Sequence, residues 1–175
     1  MRVWTRHLGD TRNEIAYDLL IVGSSLFMYG EGKSTTMTNG ADDFLLVKMD
    51  LNGNKQFVQH MGGSGLDQGR ALASDGDGNL YLFGQSDSPG MSTDFFDTVL
   101  MKVSSDGAGV WGVYFGNNLK DDTASTVQAE SDGSAIYTLG VLEASALSHG
   151  EKDMLVGKFQ GSDGTKVWIV HTGGE

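Results

Sequence analysis

The chain has no cysteine, one proline (Pro89), and only 12 Lys and Arg against 23 Asp and Glu in 175 residues. Each shortage closes off a class of function. Without cysteine there are no disulfides, no thiol nucleophile and no Cys-based zinc site, although a disulfide-free domain can reside in any compartment. The net charge of −11, with basic residues scattered along the chain, argues against nucleic acid, whose phosphates require clustered Lys and Arg. No apolar stretch approaches the roughly 18 residues of a membrane helix, so membrane insertion is not expected. No Asn-X-Ser/Thr acceptor occurs, and N-glycosylation is not expected either.

Glycine is plentiful, with 26 residues placed mostly in turns, and it marks a pattern stated three times. Gly30, Gly84 and Gly140 are 54 and then 56 residues apart, and Lys48, Lys102 and Lys158 repeat both intervals. Asp43, Asp97 and Asp153 stand five residues before those lysines. An Asn-Gly or Asp-Gly pair follows (Asn52-Gly53, Asp106-Gly107, Asp163-Gly164), then an aromatic residue (Phe57, Trp111, Trp168). A period of this length signals a bladed propeller or an array. Trp4 and Gly9 match Trp111 and Gly116. Residues 1–9 therefore read as the last strand of a preceding blade, with blades over 10–62, 63–116 and 117–175.

Each unit reads as four short strands. In the second they fall at Arg70 to Ser74 (A), Leu80 to Gly84 (B), Thr98 to Val103 (C) and Val110 to Phe115 (D), separated by Gly-rich turns. Strands B and C are almost continuously apolar, as expected of sheets covered on both faces. Helical periodicity is sustained nowhere. The expected fold is an all-β propeller segment of three four-stranded antiparallel blades plus one N-terminal outer strand.

The order strand-Gly, Asp-x-x-x-x-Lys, Asp/Asn-Gly, aromatic, Gly resembles the SBBP repeat, a blade motif of bacterial-type, often exported propellers. The best match runs from Met61-Gly62-Gly63 through Gly78-Asn79-Leu80-Tyr81-Leu82-Phe83-Gly84 to Asp97 and Lys102. The first and third units lack the Asp-Gly-Asn turn before strand B, and Phe57 replaces the tryptophan. The resemblance implies an extracellular or cell-surface location, and the recurrence of the same residues in every unit gives those positions a scaffold role. Ser104 to Trp111 also approaches the Asp-box of sialidases, and Asp163 to Trp168 the tryptophan-docking turn of quinoprotein propellers. Both motifs are folding devices in their own families.

Candidate chemistry is sparse. Asp75, Asp77 and Asn79 present oxygen ligands at alternate positions, as the start of a calcium loop does. Leu80 stands where such a loop wants Gly and no Glu follows at the twelfth position, so a hairpin turn is the stronger reading and Ca2+ the weaker. His7, His60 and His171 share one repeat position on outer strands of different units, too far apart for one metal. His149 has no identifiable partner. An Asp-Lys couple within one strand is excluded, because five residues span about 17 Å and place the two side chains on opposite faces. The repeated Asp is expected to fix the start of strand C by bonding to loop backbone.

No Gly-x-Ser-x-Gly, phosphate loop or His-Glu-x-x-His occurs, so no catalytic constellation is assembled and no cofactor is implied. The B to C connections at 31–41, 85–96 and 142–152 are long, polar and unlike one another, which suits a binding face with Asp10, Asp67, Asp121 and Asp122 beside it. Three blades leave a sheet face uncovered at each end. The expected partners are other blades of one propeller or another copy of the chain, together with bound proteins. The favoured function is a non-catalytic interaction platform, with a carbohydrate- or calcium-binding module and a catalytic propeller with its active site elsewhere as the alternatives.

Overall fold

The computed structural model describes residues 4–9, 13–33, 41–92, 95–116, 121–143 and 152–172. Among them are twelve strands and no helix. The first sheet holds β1 (Glu14–Val22), β2 (Ser25–Gly32), β3 (Asp43–Asp50) and β4 (Lys55–Met61). The second holds β5 (Asp67–Ser74), β6 (Leu80–Ser86), β7 (Asp97–Val103) and β8 (Gly109–Phe115). The third holds β9 (Thr123–Ala129), β10 (Ala135–Glu143), β11 (Lys152–Gln160) and β12 (Lys166–Thr172). Every sheet is an antiparallel meander in chain order, so each unit of the repeat is one sheet.

The three sheets stack face to face in a fan. Their first strands β1, β5 and β9 touch in turn, whereas no comparable contact joins β4 to β8 or β8 to β12. The first strands are therefore the inner edge and the last strands the rim. Between the first two sheets Phe27, Tyr29, Phe44 and Leu46 meet Leu72, Leu80, Leu82 and Val99. Between the second and third, Tyr81, Phe83 and Leu100 meet Val127, Ile136 and Phe159. Each junction joins the aromatic-bearing trailing face of one sheet to the aliphatic-rich leading face of the next. The middle sheet is covered on both sides, which explains why β6 is buried at every residue and opens with the apolar run Leu80 to Phe83.

The repeated glycine has a steric cause. Each first strand carries a β-bulge that leaves Tyr17, Arg70 or Ser125 without a register partner on the second strand. The bulge pushes a main-chain carbonyl of the first strand into the space where the glycine's side chain would stand. A Cβ on Gly84 would lie 2.4 Å from the oxygen of Gln68, and one on Gly140 would lie 2.5 Å from that of Thr123.

The segment expected as an extra outer strand forms no ladder. Trp4 to Gly9 instead lie against the leading face of the first sheet, with Leu8 packed on Leu45, Val47 and Met49. The backbone hydrogen bonds of a strand are absent there among the described residues.

Candidate functional site: blade junctions and inner edge

The repeated lysine and aromatic positions converge at the junctions between sheets. In each sheet the lysine on the third strand sits across from an aromatic on the second and from another on the fourth: Phe27, Lys48 and Phe57; Tyr81, Lys102 and Trp111; Tyr137, Lys158 and Trp168. The three ammonium groups lie 5.2 Å from the rings of Phe27, Tyr81 and Tyr137, a cation–π distance. Period-two pleating puts all three side chains of a set on the trailing face.

From that face they reach the next sheet. Lys102 Nζ and Trp111 Nε1 both donate to the carbonyl oxygen of Gly161, at 3.0 and 3.2 Å. Lys48 Nζ donates to the carbonyl of Ser105 at 2.7 Å, and Trp4 Nε1 to that of Leu51 at 3.3 Å. Leu51, Ser105 and Gly161 are equivalent residues of the hairpin turn joining the third and fourth strands. The same turn presents a glycine in the left-handed region: Gly53, Gly107 and Gly164, at φ +83°, +91° and +74°. A side chain there would be strained, and on Gly164 its Cβ would fall 2.7 Å from the Trp111 ring. Each turn is thus a socket: a flat glycine surface beside a free carbonyl, filled by the aromatic and basic side chains of the preceding unit.

Where Phe57 replaces tryptophan it still packs on Gly107, and Lys48 makes the hydrogen bond alone. At the first turn Arg6 Nε donates to Gly53 O at 3.2 Å, supplying the cation that residues 4–9 lack as a lysine. Sequence reasoning assigned the repeated Lys and Trp to the scaffold and missed their joint task. The available signal was the recurrence of both positions, in the same order, ahead of the Asp/Asn-Gly pair of the following unit.

A second convergence lines the inner edge. The bulged residues of the first two sheets meet, with the Arg70 guanidinium 4.6 Å from the Tyr17 ring centroid. Tyr17 donates its hydroxyl to Glu31 Oε1 at 3.0 Å, and Arg70 donates to Gln68 Oε1 at 2.8 Å. Gln85 Nε2 donates to the same Gln68 oxygen, while its own Oε1 accepts from Ala124 N across the second junction. Glu31 Oε2 is buried and accepts no hydrogen bond among the described residues. Bulges re-aim side chains, and here the re-aimed residues differ from unit to unit in type.

At the end of the fan where the third strands begin, the repeated aspartates meet the first residues of the next sheet. Asp43 and Asp67 crowd the site where Gly62 lacks a side chain, and Asp97 and Asp122 crowd Gly116 in the same way. The backbone makes the link, with Asp67 N donating to Asp42 O at 2.7 Å and Asp122 N to Phe96 O at 2.6 Å. Asp67 Oδ1 accepts from Ser86 Oγ, and Asp67 Oδ2 from Gly63 N and Ser88 Oγ. Asp43 Oδ1 is buried with no such partner. Among the described residues, Asp43 Oδ1 thus makes no bond to loop backbone. Burial, then the charge of Asp67, raises the Asp43 carboxyl above its ordinary range, with His60 opposing. Burial also raises Asp67, against its three hydrogen bonds.

The Asp75 to Asn79 turn behaves as a turn. Asp75 Oδ1 accepts from the backbone of Asp77 and Asn79, and Oδ2 accepts from Asn79 Nδ2 and Tyr81 OH, with Lys102 4.0 Å away. Burial pushes this carboxyl up, but the Asn79 and Tyr81 hydrogen bonds and the Lys102 charge outweigh it and hold it below its usual range. A calcium ion would compete for those same two oxygens. His171 Nδ1 lies 3.8 Å from Asp153 Oδ2, while His7 and His60 line one groove of about 380 Å³ between residues 6–9 and the first sheet. Among the described residues no three His, Asp or Glu side chains are grouped to hold a metal ion. His149, Asp10, Gly173 and much of the 31–41 and 142–152 loops lie outside the described residues.

These features define a class: an all-β chain of repeated four-stranded sheets, locked to one another by a recurring turn. Against known proteins, the sequence matches no family model and no curated sequence.

Proposed function

We propose that the chain is a non-catalytic interaction module, a rigid stretch of propeller blades that serves as a platform for protein assembly. The observation that carries this reading is the apolar surface left at both ends of the fan. On the leading face of the first sheet Leu19 and Ile21 are 62% and 59% exposed, and on the trailing face of the third Trp168 and Val170 are 39% and 53% exposed. The equivalent residues at the two internal junctions are packed, and exposed apolar patches of this kind mark interfaces. The resemblance to SBBP repeats supports placing the platform in an exported or cell-surface protein. The test replaces Leu19 and Ile21, or Met154 and Val170, by Asp. If the end faces are contact surfaces, Tm stays within about 1 °C and binding of an apolar dye falls. A loss of Tm comparable to that of Leu82→Asp would make them core and end the platform reading.

The inner edge favours a second reading, recognition of a polar ligand such as a saccharide by Arg70, Tyr17 and their variable counterparts. A glycan array with no signal sensitive to Arg70→Ala removes it.

A further inference from the structure

The junction geometry allows donors and sockets to be matched one by one. The sockets are the turns of Gly53, Gly107 and Gly164, and all three are filled: by Trp4 and Arg6, by Phe57 and Lys48, and by Trp111 and Lys102. Tyr137, Lys158 and Trp168 form a fourth donor set with no socket among the described residues.

That set is built like the filled ones. The rings of Tyr137 and Trp168 are 6.4 Å apart and inclined at 56°, against 6.1 Å and 49° for Tyr81 and Trp111. Lys158 lies over Tyr137 at the 5.2 Å that separates Lys102 from Tyr81. The surrounding trailing face continues the apolar pattern with Leu139 and Val156, the register counterparts of Phe83 and Leu100. A surface organised twice within the chain to seat a blade is presented a third time, open.

We propose that the Trp168 face seats a further four-stranded blade that is none of this chain's three, by offering Trp168 Nε1 and Lys158 Nζ to the carbonyl of a left-handed-glycine turn. An unmodified second copy does not fit, because each of its sockets is already occupied. Residues 4–9 therefore act as a plug that keeps the first socket from taking the Trp168 face of a neighbouring molecule. This rests on the platform reading but can fail apart from it, since a platform that binds only through its loops needs no fourth lock.

The full chain is compared with the triple variant Trp4→Ala, Arg6→Ala, Leu8→Asp, which releases the plug and opens the Gly53 socket. Sedimentation equilibrium of the triple variant is expected to show at least a twofold rise in mass with concentration, as a head-to-tail contact between molecules requires. Adding Trp168→Ala is expected to abolish that rise. A mass equal to the parent's, or a rise that Trp168→Ala leaves intact, overturns the proposal. Trp168-dependent association of the parent itself overturns it too, because it would assign the face to a second copy. If the triple variant loses its β-sheet circular dichroism, Trp4→Ala alone is read by the same comparisons.

Discussion

At the scale of single residues, the repeated positions divide by what they touch. Trp111 and Trp168 are equivalent, yet among the described residues only Trp111 has a carbonyl to meet. Trp111→Phe keeps most of the packing and removes one hydrogen bond of about 1 kcal/mol. Its Tm should fall by roughly 2–4 °C in a chain of this length. Trp168→Phe should leave Tm within about 1 °C, and thermal unfolding followed by circular dichroism distinguishes the two. The buried Asp43 and Asp67 give a pH signature. Their raised pKa values mean that the folded state holds protons more tightly than the unfolded. Their contribution to stability is complete below the ordinary carboxylate range and is lost as pH rises through the raised values. Asp43→Asn should therefore raise Tm at pH 7 and flatten the change between pH 4 and pH 7. Melting curves at the two pH values decide this. At Asp75 the hydrogen bonds from Asp77, Asn79 and Tyr81 leave little for an ion. Millimolar Ca2+ or excess chelator should move Tm by less than about 1 °C.

At the scale of elements, the bulge in each first strand connects a sequence signal to a site. Gly84→Ala would drive a methyl group against the Gln68 carbonyl and should cost about 1–3 kcal/mol. Chemical denaturation should show a lower midpoint with an unchanged slope. The glycine period was readable because it repeats, and so were the strands: the second unit's Leu80 to Gly84 and Thr98 to Val103 extend only to Ser86 and back to Asp97. The bulged residues were not readable, since Tyr17, Arg70 and Ser125 share no chemistry and no alternation marks them. Their common property is a backbone irregularity opposite the glycine. The lock between Lys102, Trp111 and Gly161 was hidden for another reason. It joins residues 50 to 59 positions apart in different units, and a motif read within one unit shows only half of it. Residues 4–9 read as a last strand through the match of Trp4 to Trp111, and Trp4 does meet the turn carbonyl of the next unit as Trp111 does. The match could not show that the Trp4 side chain docks without a strand ladder behind it.

At the scale of the whole molecule, the inner strands touch, the rim strands diverge, and neighbouring sheets are held by face packing, by a lock at the rim and by hydrogen bonds nearer the inner edge such as Ala124 N to Gln85 Oε1. Each lock runs from the rim half of one sheet to the rim turn of the next, and its acceptor, as Gly161 shows, lies about 40 residues beyond the segment that links the two sheets. Cohesion between sheets is therefore independent of the covalent path between them. A chain severed between residues 116 and 121 should keep its third sheet attached under native conditions, with Lys102, Trp111 and the Tyr81–Phe159 core holding the pieces. The fragments should separate only on unfolding, as native and denaturing gel filtration of the nicked protein would show. The peptide bonds between sheets then serve chiefly to set the order of the blades, and the molecule is, mechanically, a set of interlocking parts that happens to be threaded on one string.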